Sequence, residues 1–341
     1  MKKSHVVLWL VTIFVIFLAA CSEETTDNGE NNDAEADSSS STSLTWAAGA
    51  QGGGWYTMAG GISNLIGEHS DIDINTIPGG SMQNMPFIAD NEAQLAWMQP
   101  PFIQAGVNGE SPFEETYDNV SIIGNGFGTN HFHFVVTEDS GIESIEQIFE
   151  EEIPIRIGVT PVNNSDEWVF RKFLEFYDSD YETIEANGGE IFHGSYQEQV
   201  DAIRNGNVDA IFPQVALPAA TITEAAVGAD IKILPMSEEV MSYLEEFGLA
   251  KNSIPAETYP DVINGDKEIP TASMGNVLTA NSNLEEDTVY EITKIINENV
   301  NQLPDIHASL EAYSVEGSTN NLIVDLHPGA ERYFQETGQI E

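Results

Sequence analysis

Two glycine-rich stretches hold the residues best suited to chemistry. One is "GAQGGGWYTMAGGISNLI" over 49–66, the other "GGSMQN" over 79–84. Each follows a strand-like run and opens a helix-like one. In open α/β sheets, solutes sit beyond the carboxyl ends of the strands, at such turns. Glycine lets the backbone approach a ligand closely. A helix start offers amide N–H groups with no intrahelical partner and a partial positive charge. Gly53, Gly54, Gly80, Ser81 and Asn84 are therefore candidates to hold an anionic group, with Trp55 and Tyr56 as a wall. No Lys or Arg lies in either loop, so a bound carboxylate would rely on main-chain amides and neutral side chains. A packing role for the glycines and a cap role for Ser81 are the simpler alternative for one such turn. Two adjacent turns with aromatics favour a ligand.

Other chemistries lack their residues. "GGGWYT" has no lysine for a phosphate loop, and Ile77-Pro78 stand where a dinucleotide fold needs an acid. There is no Gly-x-Ser-x-Gly elbow, no His-Glu-x-x-His and no visible nucleophile–base pair, so an enzyme is not expected. His131 and His133 alternate on one strand face with spacing fit for a metal. No Cys, Asp or His continues that pattern before Glu138.

The elements around these loops alternate. Strand-like "LTWAAGA", "IDINTIP" and "AQLAWM" are separated by a helical pattern through Met58, Ile62, Leu65 and Ile66 and another over 81–89; a short helix then ends at Gly109. The rhythm returns with "IRIGVT", a helix from Asp166 to Tyr177, a strand near Glu190, a helix from Tyr196 to Arg204, "NVDAIF", "PAATITEAAVG" and "DIKILPM". Residues 80–100 and 194–214 align without a gap, sharing Gly80/Gly194, Ser81/Ser195, Gln83/Gln197, Asn91/Asn205 and Ala96/Ala210. We read this as one α/β half built twice, giving two facing lobes. Gln99 and Gln214 lie at the ends of these two copies. Residues 272–282 read as a returning strand able to pair with "FHFVVTED", and 287–303 as a long helix. Two crossings between lobes imply a hinge. The expected lobes are 44–133 with 277–341, and 134–276.

The N-terminal region reads differently. Lys2 and Lys3 precede an apolar run from Val6 to Phe17, then Leu-Ala-Ala-Cys. This is a secretion signal over 1–20, too short to span a bilayer. The Cys is the chain's single cysteine and fits a bacterial lipobox, which makes Cys21 the expected lipidation site. Residues 22–43 carry seven acids, no base and no large apolar residue. With Cys21 they are expected to form a disordered tether with a reach of ~25 Å. The protein would then hang from the outer, extracytoplasmic face of a membrane. Removing the signal would delete two of the 11 basic residues and none of the 56 acids. A chain at −45 or beyond is excluded as a nucleic-acid binder. Because the acids are spread along the chain, a solvated acidic surface accounts for the excess.

Several motifs together resemble the TAXI-type solute receptors of tripartite ATP-independent (TRAP) transporters, from about Leu44 to Gly338. They are "GGGWY", "GSMQN", "DSGIESIEQI", "GNVDAIF", "IPAETYPD", "DTVYEITKIINEN" and, most specifically, "HPGAERYFQETG" (327–338). The resemblance implies a class II periplasmic-binding-protein fold, with two α/β lobes, a two-crossing hinge and a ligand cleft. It implies a small ligand, commonly glutamate or a dicarboxylate, delivered to a multi-spanning permease, and no cofactor. By position, the family's ligand-facing motifs fall on Gly53, Trp55, Tyr56, Ser81, Asn84 and Gln99. The chain departs from the family's Gly-Ser-Gly-Thr at "PVNNSDEW" (161–168). There Asn164 and Ser165 remain possible donors, and Asn164 with Glu167 resembles a capping box. Asp166 and Glu167 would repel an anion. They suit an ammonium, and so a zwitterionic solute, unless both simply face solvent. A sensor lipoprotein for a membrane kinase and a zinc-binding lipoprotein using His131 and His133 are the alternatives.

Overall fold

The computed structural model describes residues 42–162 and 164–341. The signal segment, Cys21 and the tether up to residue 41 lie outside the described residues. Thr42 and Ser43, assigned to the tether by composition, instead begin the first strand and pair with Ile72 and Asp73.

The chain opens with strictly alternating strands and helices. These are β1 (Thr42–Ala47), α1 (Gly54–His69), β2 (Ile72–Ile77), α2 (Ser81–Ala89), β3 (Leu95–Met98), α3 (Pro100–Asn108) and β4 (Val120–Gly124). α1 forms where apolar residues recur at helical spacing, and it buries Met58, Ile62, Leu65 and Ile66. α3 ends at Gly109, which takes the left-handed conformation with φ 67°. β5 (Thr129–Phe132) and β6 (Phe134–Thr137) then carry the chain into a second series. It comprises α4 (Ile145–Glu150), β7 (Arg156–Val159), α5 (Ser165–Phe176), α6 (Tyr181–Ala186), β8 (Glu190–His193), α7 (Tyr196–Arg204), β9 (Ala210–Ile211), β10 (Gln214–Ala216), α8 (Ala220–Gly228), β11 (Ile231–Leu234) and α9 (Glu238–Glu245). β12 (Ala250–Ile254), β13 (Ile269–Gly275) and β14 (Val277–Asn281) bring it back. α10 (Glu286–Glu298), α11 (Leu303–Ile306) and α12 (Pro328–Glu336) finish the chain.

Three sheets result among the described residues. The first has the order β2-β1-β3-β14-β4 and another the order β8-β7-β9-β6-β11. In each, three parallel strands adjoin one antiparallel strand that arrives from the other half of the chain. The two lobes are thus built on one plan. The third sheet, β10-β5-β13-β12, is wholly antiparallel and feeds both. One residue separates each of its crossing strands from the continuation into a lobe: His133 between β5 and β6, and Asn276 between β13 and β14.

The returning strand differs from expectation in its partner. It splits at Asn276, and β13 pairs with Thr129–His131 rather than with 132–139. Beyond the split, β14 lies between β3 and β4 while β6 lies between β9 and β11. Two crossing strands that enter different sheets must part, so they pair only before the break. The expected helix 287–303 is α10 only as far as Glu298, with a 3-10 turn over Val300–Gln302. The strand expected at "NVDAIF" shortens to Ala210–Ile211, ahead of Pro213.

Each lobe has an aromatic-rich core. Trp46, Trp97 and Phe127 pack at tilted and edge-on angles in the first lobe; in the second, Phe134 packs on Phe173, and Phe212 on Phe170 and Phe173, at tilted angles. The second core reaches across to the first lobe through Phe102, which meets Trp168 edge-on at 5.3 Å. No helix among the described residues is long and apolar enough to cross a membrane.

Candidate functional site

The lobes enclose a cleft of about 490 Å³. Its first wall is the α1 start. The first intrahelical bond of α1 runs from Thr57 N to Gly53 O, 3.2 Å. The amides of Gly54, Trp55 and Tyr56 therefore have no acceptor within the helix, and Gly53 brings no side-chain cap. α2 repeats this. Asn84 N donates to Gly80 O at 2.8 Å, and Ser81, Met82 and Gln83 precede it without a side-chain cap at Gly80. By contrast α7, which reaches the cleft through Ser195, is closed by its own capping box with Glu198.

Asn84 builds the second loop rather than the cleft surface. It is fully buried; its Oδ1 accepts from Gly80 N at 3.1 Å, and its Nδ2 donates toward the carbonyls of Ala47, Ala48 and Trp97 at 2.8–3.1 Å. That clamp ties the β1 end, the β3 end and the α2 start together. A Cβ on Gly79 would fall 2.1 Å from Asn84 Oδ1, so only glycine fits there.

The structure brings Gly53, Gly54, Trp55, Gly80, Asn164, Ser165 and Gln214 into one lining. It does not bring Tyr56, Ser81, Asn84 or Gln99 there. The Tyr56 hydroxyl turns back to donate to Thr76 O at 3.3 Å. Ser81 Oγ accepts from Gln99 N at 2.8 Å and links the two segments behind the cleft. Gln99 is wholly buried with neither amide atom partnered. Helical spacing puts successive side chains about 100° apart, so only some members of a motif at a helix start can face the cleft.

Two lining side chains carry donors with nothing to donate to. Trp55 Nε1 and Gln214 Nε2 are unpartnered although their residues are only 7% and 4% exposed. Gln214 is held by Ser165, whose hydroxyl donates to its Oε1 at 3.3 Å, leaving the amide N–H groups free. Buried donors without acceptors are costly, and a ligand acceptor resolves the cost.

The second lobe contributes the opposite charge. Among the described lining residues, Asp166 is the one charged side chain. It is 3% exposed. Its Oδ1 accepts from Thr160 Oγ1 at 2.7 Å and its Oδ2 from the Tyr196 hydroxyl at 3.0 Å. Burial pushes its pKa up to about 6, against the pull of these bonds and of the α5 first-turn amides of Asp166 and Glu167. The α5 start is thus committed to its own carboxylate. Glu167 faces the other way, 2.8 Å from the Tyr181 hydroxyl and 3.1 Å from Arg171 Nε. Asn164 forms no capping box with it; its Nδ2 donates to Pro161 O at 3.1 Å.

Tyr196, Thr160 and Asn130 are lining residues that sequence reasoning missed. The repeat contained a signal for Tyr196, which follows Gly194-Ser195 as Met82 follows Gly80-Ser81. Nothing local marked Asn130 on the crossing strand.

His133 is no metal ligand here. Its Nδ1 donates to His131 O at 2.9 Å, and its Nε2 accepts from the Tyr259 hydroxyl at 3.1 Å, which itself accepts from Ala219 N. Burial drives the His133 pKa down to about 3. No group of His, Cys, Asp and Glu able to hold a metal occurs among the described residues.

Two α/β lobes of matching strand order, two crossing strands and an interlobe cleft define the fold of class II periplasmic solute-binding proteins. Residues 46–338 match the NMT1-like family, and the chain belongs to it. The fold is shared with MatC from Rhodopseudomonas palustris, solved with bound malate: TM-score 0.55, 13% identity, covering 87% of this chain and 97% of that one. PhnD1 from Prochlorococcus marinus, solved with methylphosphonate, has a TM-score of 0.52 at 12% identity, covering 88% and 99%.

Proposed function

We propose that the protein is a lipid-anchored extracytoplasmic receptor. It captures a small amino acid or organic acid between lobes 44–133 with 277–341 and 134–276, and delivers it to a TAXI-type TRAP permease. One observation carries the binding assignment. Two uncapped helix starts open onto one cleft whose lining residues Trp55 and Gln214 carry buried, unpartnered donors and whose described lining holds no Lys, Arg or His. That set suits a single carboxylate. The lobes already touch around the cleft: a Cβ on Gly80 would fall 2.6 Å from Asn164 Oδ1. Closure excludes water, which weak amide contacts need in order to hold a charge. The permease type rests on the motif resemblance, and the anchor on Leu18-Ala19-Ala20-Cys21.

Native mass spectrometry of protein purified without refolding, followed by calorimetry with the solute it carries, tests this reading. A carboxylate-bearing solute that binds the wild type and is lost on Gln214→Leu is expected. A solute without a carboxylate would refute it. For the anchor, intact mass should show a diacylglyceryl adduct that Cys21→Ser removes. For transport, uptake with the permease in vesicles should follow an ion gradient and need no ATP.

A further inference from the structure

The cleft is built asymmetrically. Its donors lie with the first lobe and Gln214. Facing them is a buried carboxylate, Asp166, with no cationic side chain among the described lining residues. A buried charge without a counter-charge is disfavoured unless something supplies one. The rest of the lining sets an apolar part, Trp55, Phe87, Pro78, Pro161, Val215 and Ala216, beside the neutral polar residues Gln51, Gln83 and Asn130. The second carboxylate of glutamate would meet Asp166 or the apolar part of the wall.

We propose that the solute is an α-amino acid with a large apolar side chain. Its ammonium sits on Asp166, its carboxylate on the α1 and α2 starts with Trp55 Nε1 and Gln214 Nε2, and its side chain against Trp55 and Phe87. This rests on the carboxylate-receptor reading above and names the solute class. The ammonium completes the shell of Asp166, whose two oxygens each receive one side-chain hydroxyl, from Thr160 and Tyr196. A dicarboxylate has no group to do so.

Calorimetry at pH 7.5 with ligand-free protein tests it, using L-phenylalanine, L-glutamate, succinate, 3-phenylpropanoate and 2-phenylethylamine. Phenylalanine should bind at least tenfold tighter than each of the others. Asp166→Asn should weaken phenylalanine at least tenfold and leave 3-phenylpropanoate unchanged or tighter. The wild-type series stands even if that variant does not fold. Glutamate or succinate binding most tightly would overturn this inference and leave the carboxylate receptor intact. Equal affinity for phenylalanine and 3-phenylpropanoate would overturn the role of Asp166. Tight phenylethylamine binding with no response to any carboxylate would overturn both readings.

Discussion

Replacing Asp166 by Asn should stabilise the ligand-free protein while weakening solute binding. Burial raises this carboxyl from 3.8 to about 6. At 1.36 kcal/mol per pKa unit, holding it ionised at pH 8 costs roughly 3 kcal/mol relative to the unfolded chain. Because the folded pKa is raised, its favourable contribution is complete below about 3.8 and is lost as pH climbs through 6. Asparagine avoids the ionisation. Its Oδ1 can still accept from Thr160, and the Tyr196 hydroxyl can turn fully to Gln214 O, already at 2.8 Å. The new amide N–H group can donate to the Tyr196 oxygen, but the α5 amides of Asp166 and Glu167 lose a charged acceptor, so the net gain is about 1–2 kcal/mol. For a chain of this length that is about 1.5–3 °C in Tm. Differential scanning calorimetry of ligand-free wild type and variant from pH 4 to 8 provides the readout. The variant should melt higher at pH 8, with the gap closing toward pH 4. A less stable variant at pH 8, or a gap that ignores pH, would refute the claim that Asp166 is a buried charge awaiting a counter-ion.

Gly80→Val should impair closure rather than folding, because the new side chain meets Asn164 across the cleft; solute affinity should fall about tenfold with little change in Tm, and adding Asn164→Ala should restore part of it. Asn84→Ala removes the clamp on four backbone groups and should cost about 2–4 kcal/mol in chemical denaturation. Tyr259→Phe strips the partner from both His133 Nε2 and Ala219 N and should cost about 2–3 kcal/mol by the same measurement. His133 is held neutral, with a pKa lowered to about 3. Its contribution is therefore present above about 6.5 and is lost as pH falls toward 3, and His133→Asn should flatten the acid limb of the wild-type stability curve.

Much of the fold was legible because alternation writes itself into sequence. Apolar residues at period 2 or 3.6 marked β1 to α3 and most of β7 to β11. The repeat between 80–100 and 194–214 anticipated two sheets of one strand order. β4, β5, β10 and β12 carried no such mark. β4 pairs with β14, β5 with β10 and β13, and β12 with β13 beyond a long loop, so distant pairing rather than local pattern makes them strands. The site was legible at its glycines, where a bare backbone is itself the signal. It was not legible at Ser81 and Asn84, because a polar residue in a ligand-facing motif can point inward to hold the loop as readily as outward to hold the solute.

By itself, the sequence determined the α/β class, the doubled half, the glycine-opened helix starts and the lack of cations near them. These follow from composition and period, which need no partner. Only the tertiary structure decided that Asp166 faces the cleft while Glu167 turns to Arg171 and Tyr181, and that Trp55 and Gln214 keep free donors beneath the surface. Neighbouring residues on one helix differ by about 100° in direction. Which of them meets the cleft depends on how the second lobe is docked, and no local pattern encodes that angle.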